Sequence, residues 1–164
     1  MPKKILYIAR HAKSDWKNAS LSDYERPLNT RGERDAPLMA NILKAKGISP
    51  ELILSSPATR AKTTAKFYHE TLGGKLSFDE RIYEASHMTL LYLVQEMFEN
   101  VDSFMIVGHN PGLTGLNDML SDKSIYNLVT AAVVAIEFED KVAPDMGKQK
   151  FFEYPKKYIQ ENEL

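Results

Sequence analysis

Cysteine is absent from the 164 residues of this chain. Its absence excludes disulfides, thiolate catalysis and cysteine-ligated zinc. An excess of basic residues is absent as well, since 21 Lys and Arg stand against 22 Asp and Glu and the formal net charge is -1. Binding along a nucleic-acid backbone needs a positive excess, so we do not expect nucleic acid as a partner.

Long hydrophobic runs are also missing. The first apolar run follows Lys3 and Lys4 and already breaks at Arg10. It is too short for the core of a signal peptide, roughly 7 to 15 residues, or for a membrane span of about 20 residues. We therefore expect a cytoplasmic protein that does not engage a membrane. His69 and His87 do not pair at metal-ligand spacing, so we expect no metal site and no cofactor.

The length suits one domain with a sizeable core, because a chain of this size buries about 70% of the surface that it exposes when unfolded. No repeat or linker divides the sequence, and its last ten residues are polar. We predict a single domain over residues 1–164, with a polar tail from about residue 155.

The periodicity of apolar residues predicts alternating strands and helices. Three apolar runs are typical of buried strands, at 4–9, 51–56 and 103–108. Helices are expected from a Thr-x-x-Glu capping box at Thr30, from Ser56 or Pro57, around residues 90–97, and after a cap at Asn110 with Pro111 as the first helical residue. The segment at 75–84 predicts a short strand and a loop. Residues 131–139 and 148–154 predict an antiparallel hairpin.

This order indicates an α/β protein with three layers, α/β/α. The central sheet is expected to be mostly parallel, with at least one antiparallel strand and with helices on both faces. Ligands of such sheets sit at the carboxyl ends of the strands.

Polar residues of related chemistry follow the three buried strands. Arg10 and His11 end the first, Arg60 lies in the first turn of the helix after the second, and His109 follows the third. If these strands are neighbours, the four side chains converge beside two helix N-termini. Arginine forks and helix N-termini both favour anions, so phosphate is the expected guest.

The histidines separate an enzyme from a simple phosphate binder. Neutral imidazole is a nucleophile toward phosphorus, and a phosphohistidine intermediate divides hydrolysis into two easier displacements. A second, protonated histidine stabilises the charge on the equatorial oxygens. Taken singly, each residue has a plainer interpretation, as a satisfied loop histidine or a surface ion pair. Their joint placement favours a site.

The chain resembles the histidine phosphatase (phosphoglycerate mutase-like) superfamily, and within it the small SixA-type phosphohistidine phosphatases. The resemblance covers residues 4 to about 120 and rests on five stretches in the family's order: YIARHAKSDW, RPLNTRGERDA, LILSSPATRAKTTA, IYE and MIVGHNPGL. Arg-His alone is a weak signal. Arg-His, Ser-Ser-Pro-x-x-Arg-Ala and Gly-His-Asn in sequence are a specific one.

The resemblance implies a role for each matching residue. His11 is similar to the nucleophile, and Arg10, Arg60 and His109 to the phosphate clamp. Arg26 matches an arginine that small members carry near the phosphate; its alternative is a structural ion pair.

Two further positions qualify this match. Glu84 matches the acidic residue that protonates the leaving group, and its alternative is a solvated loop carboxylate. Ala12 stands where the family often has glycine, so the backbone there must suit a residue with a β-carbon.

The 24 residues between Glu84 and His109 hold one predicted helix and one predicted strand, which leaves no lid. An open pocket admits a phosphorylated side chain, so we expect a phosphatase acting on phosphohistidine of a partner protein. Mutase activity is disfavoured because re-transfer needs closure against water. The alternatives are a broad-specificity small-molecule phosphomonoesterase and a phosphate-binding interaction module without turnover. The protein is expected to be a monomer whose partner is a phosphorylated protein or small molecule.

Overall fold

The strands and helices of the computed structural model alternate along most of the chain; the model describes residues 2–159. Six strands lie within residues 2–159, in chain order β1 (Lys4–Arg10), β2 (Leu52–Ser55), β3 (Lys75–Phe78), β4 (Ser103–Gly108), β5 (Val133–Phe138) and β6 (Gly147–Glu153). Four α-helices accompany them: α1 (Thr30–Ala45), α2 (Thr59–Leu72), α3 (His87–Met97) and α4 (Gly112–Leu120). Single 3-10 turns lie at Asp23–Glu25, Glu80–Ile82 and Pro155–Lys157. Of the predicted polar tail, residues 160–164 lie outside the described residues.

All six strands form one sheet in the order β3-β2-β4-β1-β5-β6. The pairs β3-β2, β2-β4 and β4-β1 are parallel, whereas β1-β5 and β5-β6 are antiparallel. The predictions of a mostly parallel sheet and of a C-terminal hairpin are therefore confirmed. In the parallel part, Arg10 of β1 lies opposite Gly108 of β4, so the carboxyl ends of these strands are level.

Helices cover both faces of the sheet, as the sequence predicted. Alternate residues of β1 divide between two apolar clusters: Leu6 and Ile8 pack with α3 and α4, and Tyr7 and Ala9 pack with α1 and α2. This alternation is the period of a strand whose two faces are both buried. The result is a three-layer domain whose strand ends are held by helices on both sides.

Three helices begin at other residues than the sequence indicated. Asn29, not Thr30, is the N-cap of α1, and its side chain accepts from the Gly32 amide. The predicted capping box at Thr30 was wrong by one residue, because both positions carry a side chain suited to capping and Asn29 is the better placed.

The helices that follow β2 and β4 start later than predicted. α2 begins at Thr59, since Ser56–Ala58 continue as a turn in which Ser56 Oγ accepts from the Ala58 amide. α4 begins at Gly112, after a cis Asn110-Pro111 peptide bond. α3 begins at His87 behind a Ser86 cap that accepts from the Thr89 amide.

Across residues 2–159, none of the helices has the length and apolar character that crossing a membrane requires.

Candidate active site

A cavity of about 220 Å³ opens where β1, β2 and β4 end. These strands are neighbours in the sheet, which confirms the condition on which the predicted site depended. The cavity is lined by all five of the predicted residues at the strand ends and in the following loop, namely Arg10, His11, Arg26, Arg60 and His109. Lys13, Ser14, Trp16, Asn110 and Thr130 complete its lining.

His11 is buried at the end of β1, with 7% of its surface exposed. Its Nδ1 lies 2.7 Å from the carbonyl oxygen of Ala12. A carbonyl oxygen only accepts, so Nδ1 carries the proton and Nε2 of the neutral ring carries the lone pair. Burial lowers the pKa of His11 to about 3, with further lowering by His109, Arg60 and Arg10. The ring is therefore neutral at pH 7 with an unprotonated Nε2.

The backbone around His11 is held from several sides. Its amide donates to Gly108 of β4, and its carbonyl accepts from Ala131, which precedes β5. The Ala12 amide donates to Thr64 Oγ1 on α2. Ala12 is not among the residues with positive φ, so its β-carbon causes no strain at the position where the family often has glycine.

Another close approach fixes the loop beyond Ala12. A β-carbon on Gly32 of α1 would stand 2.2 Å from the Lys13 carbonyl oxygen. Only glycine lets the helix come this near to the loop that follows His11.

His109 faces His11 across the cavity. The ring centroids are 5.2 Å apart, and His109 Nε2 lies 2.8 Å from Ser56 Oγ at the end of β2. Burial and the charge of Arg60 lower the pKa of His109 to about 4. The ring is therefore neutral in the free site, whereas the protonated form was predicted for the stage at which phosphate is bound. A phosphoryl group between the two rings brings negative charge, which favours the protonated form.

Three arginines surround the histidines, and each is partly paired. Arg10 Nη1 donates to the Leu128 carbonyl, and Arg26 Nη1 donates to Ser14 Oγ. The Nε groups of Arg10, Arg26 and Arg60 are buried without a hydrogen-bond partner in the part of the chain that the structure describes, and so is His109 Nδ1. Buried donors without partners are costly, and several in one cavity are what an anion with several acceptor oxygens satisfies.

Sequence reasoning did not include Asp23 among the site residues. Its carboxylate accepts from Arg26 Nη2 at 2.8 Å, Arg60 Nη2 at 3.0 Å and the Tyr83 hydroxyl at 2.7 Å. Although burial acts to raise the pKa of Asp23, these hydrogen bonds lower it well below its usual range. The spacing Asp-x-x-Arg between Asp23 and Arg26 was the signal in the sequence, since it permits a local ion pair.

Two aromatic residues beside the site were missed as well. The Tyr83 ring meets the edge of His109 at 5.5 Å between centroids, and its hydroxyl has a pKa raised to about 12 by burial and by the bond to Asp23. Trp16 stacks on Arg26, with the guanidinium carbon 3.4 Å from the ring centre, and remains 71% exposed at the mouth of the cavity.

Glu84 is the one predicted site residue that does not line the cavity. It is exposed, follows Tyr83 directly and has a φ of 55°.

His87 is exposed at the start of α3, and His69 lies on α2; neither lines the cavity. A larger groove of about 280 Å³ lies at the amino end of β1, and its lining includes neither histidine nor arginine. No cluster of three metal-binding side chains occurs within residues 2–159.

The family model for the histidine phosphatase superfamily (branch 1) matches residues 6–106, a stretch that includes His11, Arg26 and Arg60. The chain belongs to the histidine phosphatase superfamily. The resemblance drawn from its motifs is thereby confirmed, and membership of this family supports the prediction of a phosphatase.

One relative of this histidine phosphatase is a chloroplastic protein of Arabidopsis thaliana that is itself uncharacterized. It is 36% identical over 131 residues, which cover 73% of this chain and 60% of the relative. The chain thus spans less than two thirds of the relative's length.

Solved structures of SixA proteins have the same fold. One, named as a phosphohistidine phosphatase of Agrobacterium tumefaciens, superposes with a TM-score of 0.80 at 26% identity, over 93% of this chain and 98% of that one. Another, a protein histidine phosphatase SixA complexed with tungstate, gives a TM-score of 0.83 at 23% identity, over 94% and 99%. The three-layer fold predicted for this histidine phosphatase is confirmed.

Proposed function

We propose that this protein removes the phosphoryl group from phosphohistidine on a partner protein, with His11 as the residue that is transiently phosphorylated. The observation that carries the proposal is the hydrogen bond between His11 Nδ1 and the Ala12 carbonyl, because it leaves Nε2 unprotonated in a cavity surrounded by three arginines. A phosphate binder has no need of a nucleophile.

In the first step the Nε2 lone pair of His11 attacks phosphorus, and the bond from phosphorus to the substrate nitrogen breaks. The leaving imidazole takes a proton from water or leaves in its protonated form. In the second step water attacks phosphorus, the bond to His11 Nε2 breaks, and inorganic phosphate is released. Arg10, Arg26, Arg60 and His109 supply the donors that stabilise the equatorial oxygens in both steps.

The preference for a protein substrate is supported by what lies between Glu84 and His109. Those residues are taken up by α3 and β4 with short connections, so that segment supplies no lid. A pocket without a lid there can receive an imidazole that is still attached to a protein surface. The fold likeness to a protein histidine phosphatase SixA agrees with this substrate class.

The test is a comparison of three substrates with purified protein: a phosphohistidine protein, a phosphoserine peptide and a panel of small phosphomonoesters. We expect the highest kcat/KM on the phosphohistidine protein. A higher kcat/KM across the small phosphomonoesters would instead identify a small-molecule phosphatase. Absence of turnover on every substrate would identify a binding module.

The intermediate is tested by rapid quenching. Labelled phosphate should appear on His11 as an acid-labile, base-stable group, and His11→Ala should abolish both the label and the turnover. His87→Asn is the matched control, because His87 lies outside the cavity and should keep both. Activity of His11→Ala within tenfold of the wild type would contradict the assignment.

A further inference from the structure

Asp23 forms a bridge between two arginines of the phosphate cavity. One carboxylate oxygen, Oδ1, accepts from Arg26, and the other, Oδ2, accepts from Arg60 and from the Tyr83 hydroxyl. The main-chain carbonyl of Asp23 also accepts from Arg60 Nη1 at 2.6 Å. Both terminal nitrogens of Arg60 are therefore bonded to this one residue.

The same bridge fixes Arg26 between three contacts. Its Nη2 donates to Asp23, its Nη1 donates to Ser14 Oγ, and its guanidinium lies against the Trp16 ring. The Nε groups of Arg26 and Arg60 remain buried and without a partner in the described chain. Asp23 thus binds one terminal nitrogen of Arg26 and both terminal nitrogens of Arg60, and the Nε groups of these arginines are left unpaired.

We infer that Asp23 is a positioning residue of this site: its carboxylate sets the spacing and the orientation of Arg26 and Arg60 before phosphate arrives. The inference rests on the proposed function. Asp23 is half-exposed on a 3-10 turn, at the surface rather than in the core. Its bonds fasten that turn to α2 through Arg60.

The physical reason is that two guanidinium groups repel each other when no anion lies between them. A fixed carboxylate removes that repulsion and prevents each arginine from turning to another partner. Preorganised donors stabilise the transition state without reorganisation during the reaction. The carboxylate also offsets positive charge, so it weakens rather than strengthens the attraction for a ground-state phosphate.

These two effects predict an unusual kinetic pattern for Asp23→Asn. The amide has one acceptor oxygen, and its NH₂ group would face a guanidinium donor, so one arginine loses its bond to the side chain of residue 23. We expect kcat to fall on the order of tenfold or more, with the KM of the substrate and the inhibition constant of inorganic phosphate unchanged or lower. Loss of a simple binding contact would instead raise KM and leave kcat unchanged.

Glu25→Gln is the matched control. Glu25 lies on the same 3-10 turn and loses the same charge, but its carboxylate accepts from the backbone and hydroxyl of Ser22. It should keep the wild-type kcat. A kcat of Asp23→Asn within twofold of this control would overturn the inference, and so would a rise in kcat/KM, because a rise would mean that the carboxylate competes with phosphate.

A second measurement does not depend on turnover. The Nε-H signals of Arg10, Arg26 and Arg60 can be followed by NMR in the wild type and in Asp23→Asn. We expect the signals of Arg26 and Arg60 to broaden or shift in the variant, while that of Arg10, which donates to Leu128, stays in place. Unchanged signals for both arginines would overturn the inference. If the wild type turns over no substrate, the proposed function fails, and this measurement still decides the role of Asp23.

Discussion

His11 and His109 face each other with their ring centroids 5.2 Å apart and their planes tilted by 52°. Two imidazolium ions at this distance would repel each other, and both rings are buried beside arginines. The pKa of His11 is accordingly lowered to about 3 and that of His109 to about 4, in each case chiefly by burial. The free site holds a pair of neutral imidazoles over a pH range in which ordinary histidines are charged.

This pair makes the stability of the protein depend on pH. In the unfolded chain the two histidines bind protons near pH 6.5, but in the folded chain they stay neutral until about pH 4. The unfolded state therefore binds more protons between these limits, and stability falls as pH falls below 6.5. At pH 5 each histidine can cost up to about 2 kcal/mol relative to pH 7.

Urea unfolding at pH 7 and pH 5, in buffers without phosphate, measures this loss. The double variant His11→Asn, His109→Asn is the control, and its stability should change much less between the two pH values. An equal loss of stability in the wild type and in the double variant would show that other groups cause it.

Arg60 and His109 are expected to act in the transition state. Arg60→Ala and His109→Ala should each remove about 2 to 4 kcal/mol of transition-state stabilisation, because each deletes a preorganised donor. The loss should appear in kcat as well as in kcat/KM. Arg81→Ala is the control, since Arg81 is exposed and paired with Asp79 and Glu96 away from the cavity. A rise in KM alone would identify a ground-state contact.

Glu84→Gln should distinguish between substrates. An alkoxide leaves poorly unless an acid protonates it, and general acid catalysis typically contributes about 10²- to 10⁴-fold. An imidazole leaving group has an unperturbed pKa near 6.5 and can take its proton from water. We expect severe loss of kcat/KM on alkyl phosphates and little loss on phosphohistidine.

The exposed position of Glu84 outside the cavity lining makes this comparison informative. Glu70→Gln, on the exposed side of α2, serves as the control for the loss of charge. Equal losses on both substrates would assign Glu84 to holding the loop at Tyr83 rather than to proton transfer.

Activity should survive EDTA. The cavity supplies positive charge through Arg10, Arg26 and Arg60, and the lining contains no carboxylate to bind a divalent cation. The measurement is kcat/KM before and after dialysis against the chelator, with a metal-dependent phosphatase as the positive control for chelation. A loss that added Mg²⁺ or Zn²⁺ restores would contradict the prediction.

The sequence predicted the fold well because its strands are short apolar runs buried on both faces. Such runs can be recognised from the hydrophobicity of consecutive residues alone. It also located Arg10, His11, Arg60 and His109, since each lies at the end of a parallel strand or soon after it, and parallel strands end together. The starts of α1 and α2 were less accurate, because Asn29 and Thr30 are both competent caps and the Ser56 hydroxyl closes a turn first.

Asp23 could not be identified from local pattern alone. Its partners Arg60 and Tyr83 lie 37 and 60 residues away along the chain, so their convergence depends on the packing of a turn against α2. The neutral state of His109 in the free site could not be predicted from the sequence for a similar reason. Charge on a histidine depends on burial and on the arginines beside it, and neither is visible in the residues next to it.

The reversed direction of β5 has a consequence for the shape of the cavity. Parallel strands offer only the loops that follow them, but an antiparallel neighbour brings the loop that precedes it to the same end of the sheet. Residues just before β5 accordingly reach the site: the Leu128 carbonyl accepts from Arg10 and Asn110, and Thr130 lines the cavity. The loop between α4 and β5 is therefore one wall of the cavity. Because Ala131 in it donates to His11 and Leu128 is buried, its length and sequence are tied to β1 as well as to the shape of the site.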